Sequence, residues 1–202
     1  MRRIGIMGGT FDPPHIGHLV LAEYAAHGLH MENLLFVPAA DPPHKRDDTR
    51  TRIEDRVAMV ECAIAGNPRF VLSRVDVDRP GPHFTVDMVK IIQAQYPDAE
   101  LYFVMGGDSL YDLPQWDRPQ ELIRLCKLAV MARPDFQVPP DMHESVLPGL
   151  SQRVDMIESP MLGFSSTDVV ARLLAGKTVR YIVPQPVLDY IVEHKLYRGN
   201  HR

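Results

Sequence analysis

Cysteine, tryptophan and long apolar runs are what this 202-residue chain has least of. Its two cysteines, Cys62 and Cys126, stand far apart without C-x-x-C spacing. That leaves no disulfide framework and no zinc-type set, and reads as reduced core residues in a cytoplasmic protein. No apolar stretch approaches the roughly 20 residues that a membrane-spanning helix needs. An apolar strand begins within the first few residues, where a secretory leader would stand, so neither a membrane nor export is expected. Positive charge is also short. With 22 Lys and Arg against 26 Asp and Glu the net charge is −4, which argues against broad nucleic-acid binding, whose footprint is a basic face. A small phosphorylated ligand held by a few local cations is still allowed. Residues 45–56 carry five basic and four acidic side chains and read as a solvated loop and helix face.

What is present is ordinary for a globular core: 45% hydrophobic and 24% charged residues, enough for one domain over 1–202. Apolar runs at 3–7, 34–37, 70–72, 101–105, 128–131 and 154–157 read as strands, the second stopped by Pro38. Helical periodicity lies between them, at 15–27, 52–65, 86–96, 121–126, 165–174 and 186–194. Residues 79–82 read as a turn and 133–150 resist assignment. No repeat and no low-complexity linker interrupts the pattern. Continuous apolar strands separated by helices imply an α/β fold, a doubly wound, Rossmann-like and mainly parallel sheet covered on both faces, closed by a C-terminal helical segment. Ligands of such sheets bind beyond the carboxyl ends of the strands, near the point where strand order reverses.

The most informative stretch is Gly8-Gly9-Thr10-Phe11-Asp12-Pro13-Pro14-His15-Ile16-Gly17-His18. A buried strand that breaks into glycines and opens a helix makes a phosphate site, because the backbone can come close and the helix N-terminus offers unpaired N–H groups. The prolines suit a helix entry, with Asp12 as its N-cap, and His15 and His18 project from one face. The pattern is neither a Walker A loop nor a dinucleotide fingerprint. A second helix start, Gly163-Phe164-Ser165-Ser166-Thr167-Asp168, offers hydroxyl and N–H donors, though plain N-capping explains it as well. The single tryptophan, Trp116, lies in a polar, proline-bearing loop after Gly106-Gly107-Asp108, where it either caps the core or presents a flat face to a ligand.

H-x-G-H after G-G-T-F-D resembles the nucleotidyltransferase superfamily, and the remaining segments narrow the likeness to bacterial nicotinate-nucleotide adenylyltransferases. Those segments are G-G-D-x-L…W at 106–116, P-P-H-K at 42–45, H-F-T-V-D at 83–87 where Phe84 replaces the usual tyrosine, R-P at 133–134, and the closing Y-I-V-P and L-Y at 181–184 and 196–197. The resemblance implies adenylyl transfer from ATP to nicotinate mononucleotide. It makes His15 and His18 the catalytic pair, with Gly8, Gly9, Thr10, Phe11, Gly106, Asp108, Ser165, Ser166 and Thr167 around ATP. Lys45, Thr85, Asp108, Trp116 and Arg133 fall around the pyridine nucleotide, Trp116 stacking on its ring and Thr85 donating to its carboxylate while also N-capping the next helix. Magnesium is expected with the ATP phosphates and no protein metal cage is expected. Where relatives carry an arginine three residues after Thr167, this chain has Val170, so either that role is missing or Arg172 or another cation fills it. The closing segment, with Tyr190 and Tyr197, reads as packing. Nicotinamide mononucleotide or phosphopantetheine are the alternative acceptors, and a catalytically silent nucleotide-binding regulator is the alternative of another class. A homo-oligomer is compatible with the sequence.

Overall fold

The computed structural model describes residues 1–40, 51–131, 139, 141–158, 160 and 162–198. Among them six strands form one all-parallel sheet: β1 (Arg2–Gly9), β2 (Asn33–Pro38), β3 (Phe70–Leu72), β4 (Ala99–Gly106), β5 (Lys127–Met131) and β6 (Val154–Ile157), in the order β3-β2-β1-β4-β5-β6. The pleat sorts their side chains by parity. Ile4, Ile6, Leu35, Val37, Leu101 and Phe103 enter one core layer, while Met7, Leu34, Phe36, Tyr102, Val104 and Ala129 enter the other. A fully buried Leu, Ile or Phe stabilises the fold by about 1.5–3 kcal/mol, so these strand residues contribute heavily to stability.

The helices divide between the two layers. On one face lie α1 (Ile16–Gly28), α2 (Ile53–Ile64), α6 (Ser166–Leu174) and α7 (Gln185–Glu193), contributing Ala22, Met59, Val169 and Ile191. On the other lie α3 (Thr85–Gln95), α4 (Gly107–Asp112) and α5 (Pro119–Leu125), contributing Val89, Leu110 and Leu122. The neighbours β1 and β4 therefore send their following helices to opposite faces. That divergence is where a parallel sheet provides a ligand crevice, here at the carboxyl edge beyond the glycine-bearing ends of β1 and β4.

Two local expectations are corrected. Pro38 belongs to β2 and pairs in register with Gly9. Its missing N–H is harmless because β3 has already ended opposite, at Leu72. Residues 107–115, expected as loop, form α4 and a 3-10 turn at Leu113–Gln115. They are too short and polar to show periodicity, and their helicity is fixed by burial of Leu110 and Leu113. Cys62 and Cys126 are both free. No helix among the described residues is long and apolar enough to cross a membrane.

Candidate active site

The corner after β1 is built around two imidazoles. His15 is the N-cap of α1, and its backbone N–H donates to Nδ1 of His18 (3.1 Å). That bond leaves the His18 ring proton on Nε2, so a neutral donor is set by the helix end itself. The rings stack at 3.8 Å, with Phe164 edge-on to His15 and Phe11 edge-on to His18. Burial pulls the His15 pKa down to about 4, opposed by the charge of Asp168. Burial and then His15 pull that of His18 down to about 3, so both are neutral at pH 7. His15 Nδ1 is buried without a hydrogen-bond partner among the described residues, an orphan of the kind a bound anion satisfies. Gly17 permits the stacking: a β-carbon there would lie 2.9 Å from Cε1 and Nδ1 of His15.

Asp12 does not cap the helix. Its carboxylate accepts the N–H of Thr51 (3.2 Å) and the hydroxyl of Tyr197, because two prolines separate it from the helix and carry its side chain the other way. Arg56 corrects the reading of a solvated face. It is 2% exposed and donates to the carbonyls of Thr10, Ala39, Ala40 and Thr51. The sequence did hold a signal for it, since Arg56 falls three after Ile53 and four before Val60, inside the apolar stripe of α2. Tyr190 and Tyr197 are likewise more than packing, their hydroxyls donating to Asp55 and Asp12. Nothing in the periodicity marks those partners.

The second helix start meets the first. The Ser166 hydroxyl donates to the Pro13 carbonyl (2.9 Å), so the N-termini of α1 and α6 converge on one point. Ser165 is the N-cap of α6 in a reciprocal box with Asp168, accepting its N–H (3.2 Å) while its own N–H donates to the carboxylate (2.7 Å). With the Ser165 and Ser166 hydroxyls committed, the exposed Thr167 hydroxyl and the first N–H groups of α6 are the donors left for a ligand. Arg172 does not replace the absent arginine. Its Nε donates to the Thr178 carbonyl (3.0 Å), and two residues of helix turn it about 200° from Val170.

Across the crevice, Gly106 lets the Asp108 side chain fold back over the end of β4, a β-carbon there meeting its Oδ1 at 2.5 Å. Trp116 follows the 3-10 turn, half-buried and edge-on to Phe103 at 5.9 Å, so it caps the core and still shows part of its ring. Thr85 is the first residue of α3 and not its cap, which is Phe84 with no side-chain bond. The turn before it is held by Arg79, which pairs with buried Asp76 (2.8 Å) and donates to the carbonyls of Pro82 and Phe84. Arg118 joins the two sides of this half, its guanidinium reaching Asp87 of α3 (2.7 Å) and Asp117 beside Trp116 (2.5 Å). Lys45 and Arg133 lie outside the described residues. Among the described residues no three His, Cys, Asp or Glu side chains gather as a metal cage.

Comparison with known proteins gives the family and the fold. The cytidylyltransferase-like family matches residues 6–172. A probable nicotinate-nucleotide adenylyltransferase of Thermomicrobium roseum is 44% identical, over 98% of this chain and 92% of that protein. One from Synechococcus sp. strain JA-3-3Ab is 41% identical over 97% and 95%. Among solved structures, the Plasmodium falciparum nicotinic acid mononucleotide adenylyltransferase complexed with NaAD has the same fold, with a TM-score of 0.79 at 19% identity and 98% of both chains covered. By full-length identity above 40% to its curated relatives, the chain belongs to the nicotinate-nucleotide adenylyltransferases.

Proposed function

We propose that residues 1–202 act as one cytoplasmic nucleotidyltransferase domain that transfers the adenylyl group of ATP to nicotinate mononucleotide, a step of NAD biosynthesis. A phosphate oxygen of the mononucleotide attacks the α-phosphorus, the bond to the bridging β-oxygen breaks, and pyrophosphate leaves as deamido-NAD forms. With a second pKa near 6 the attacking phosphate is already mostly dianionic at neutral pH, so no strong base is required. The barrier is repulsion between polyanions and charge arriving on the leaving group. That calls for alignment and preset donors.

The observation that supports this reading most is the stacked imidazole pair at the crevice, with the His18 proton directed to Nε2 by the His15 N–H. We assign His18 to the α-phosphate and the transition state, and His15, Gly8, Gly9, Thr10, Phe11, Gly106, Asp108 and the start of α6 (Ser165, Ser166, Thr167) to the rest of ATP. Lys45 and Arg133 are assigned to anionic groups of the second substrate, Asp108 to the sugars, and Thr85 and Trp116 to the pyridine acid and ring. The corner's donors, imidazole and backbone N–H, suit phosphate oxygens and not a cation. That fits magnesium carried on the triphosphate and water, where it would screen negative charge.

The test is pyrophosphate release with ATP and magnesium, offering nicotinate mononucleotide, nicotinamide mononucleotide or phosphopantetheine. Preference for the first is expected. Preference for the amide would keep the mechanism and overturn the roles given to Thr85 and Trp116. Turnover only with phosphopantetheine would refute the substrate assignment, and none with any acceptor would favour a binding protein.

A further inference from the structure

We infer that Tyr197, beyond the last helix, is a positioning residue for the phosphate corner and acts through Asp12; the inference rests on the function proposed above. The corner cannot fix its own shape. Pro13 and Pro14 have no N–H to donate, and Phe11 holds a left-handed φ of 49° that an aromatic residue seldom adopts. What secures the turn comes from elsewhere in the chain. Arg56 takes the Thr10 carbonyl, Ser166 takes the Pro13 carbonyl, and the Asp12 carboxylate is held at both oxygens. One oxygen accepts the Thr51 N–H; the other accepts the Tyr197 hydroxyl, 185 residues away in sequence.

Tyr197 is half-buried against the core layer of α1, α2 and α7, with its hydroxyl 4.0 Å from the Met59 sulfur. Burial and the adjacent Asp12 push its pKa up, so it remains a donor across the working pH range. Asp12 stands three residues before His15, whose N–H sets the His18 tautomer. Loss of the Tyr197 hydroxyl frees one oxygen of Asp12, loosens the turn, and misaligns the two imidazoles relative to the reacting phosphate. A structural staple alone would lower thermal stability and leave turnover per folded molecule intact.

Tyr197→Phe keeps the ring and removes only the hydroxyl. Pyrophosphate release at 25 °C is compared for wild type, Tyr197→Phe, Asp12→Asn and the double variant, with thermal unfolding measured alongside. The expected result is a kcat at least tenfold lower in Tyr197→Phe, KM for ATP within threefold, and a double variant no slower than Asp12→Asn, as a shared link requires. A kcat within twofold of wild type, whatever the change in Tm, overturns the inference, and so do losses that multiply in the double variant. Imidazole ¹⁵N shifts of His15 and His18 without substrate give a readout independent of turnover. They are expected to move in Tyr197→Phe, and unchanged shifts overturn the inference. Wild type idle on nicotinate mononucleotide, with those shifts still moving, refutes the proposed substrate and leaves the positioning role standing.

Discussion

At the residue scale the proposed chemistry concentrates on His18. Its backbone-bonded Nδ1 makes it a single-purpose donor, and a donor aimed at developing charge is worth about 10²–10³ in rate. His18→Ala is therefore expected to lower kcat by about that factor, with KM for ATP changing by no more than a few-fold. A variant with wild-type kcat sinks the assignment. The same burial has a stability consequence. Both histidines titrate in the folded chain well below their ordinary value of 6.5, near 4 and near 3, so between those values and 6.5 the unfolded chain binds more protons. Their contribution is full above pH 6.5 and is lost as pH falls toward 4 and 3. The Tm is expected to drop between pH 7 and 4.5, and to drop less steeply in His18→Gln, which has no group to charge. Parallel Tm curves for the two proteins would contradict the burial account. The glycines, prolines and histidines of the corner were all legible in sequence, because each residue type answers a local demand. The stripe of α2 marked Arg56 as inward-facing without showing its partners, and the partners of Asp12 and Tyr197 were not legible, because they are set by tertiary contact: the carboxylate that reads as an N-cap in isolation serves chain segments 39 and 185 residues away.

At the element scale, short polar helices carry much of the side proposed for the second substrate. A six-residue α4 and a 3-10 turn lack the length to declare themselves by periodicity, whereas the strands and longer helices were placed to within a residue or two. Trp116 depends on these short elements. The turn behind it is held by Arg118, in a left-handed conformation with φ of 46°, reaching across to Asp87 two residues beyond Thr85. The pair is partly exposed, at 42% and 32% of side-chain area, so solvent screening leaves it little weight in stability. Its effect is to fix the distance between the two elements assigned to the pyridine ring. Arg118→Ala is expected to shift Tm by only a degree or two, to raise KM for nicotinate mononucleotide roughly five- to twentyfold through lost positioning, and to leave KM for ATP unchanged. Because Trp116 is the only tryptophan, its emission reports the same event: the mononucleotide should quench it in wild type, and only at higher concentration in Arg118→Ala. Equal rises in both KM values would mean that the ion pair supports the whole sheet and not this half of the crevice.

At the scale of the whole molecule, the parallel sheet followed from composition and alternation alone, since strands apolar on both sides have no other way to be covered. Strand order did not, because it depends on which face each crossover takes. That choice divides the proposed site. Beyond the carboxyl edge, α1 and α6 gather the phosphate donors over one core layer, while α3, α4 and the turn bearing Trp116 stand over the other. On the proposed assignment ATP engages chiefly the first half and nicotinate mononucleotide the second, and deamido-NAD spans both. A ligand at a hundred times its Kd stabilises the folded state by about 2.7 kcal/mol. For a chain of this size that is roughly 5–10 °C in Tm at about 2–4 °C per kcal/mol. Deamido-NAD is therefore expected to raise Tm by that amount. Trp116→Ala should lose most of the shift given by deamido-NAD or nicotinate mononucleotide and retain the one given by ATP, while His18→Ala should weaken the ATP shift and spare that of the mononucleotide. If Trp116→Ala instead depressed both shifts alike, the two sides of the crevice would be one cooperative unit, and the division of labour read from the crossovers would be wrong.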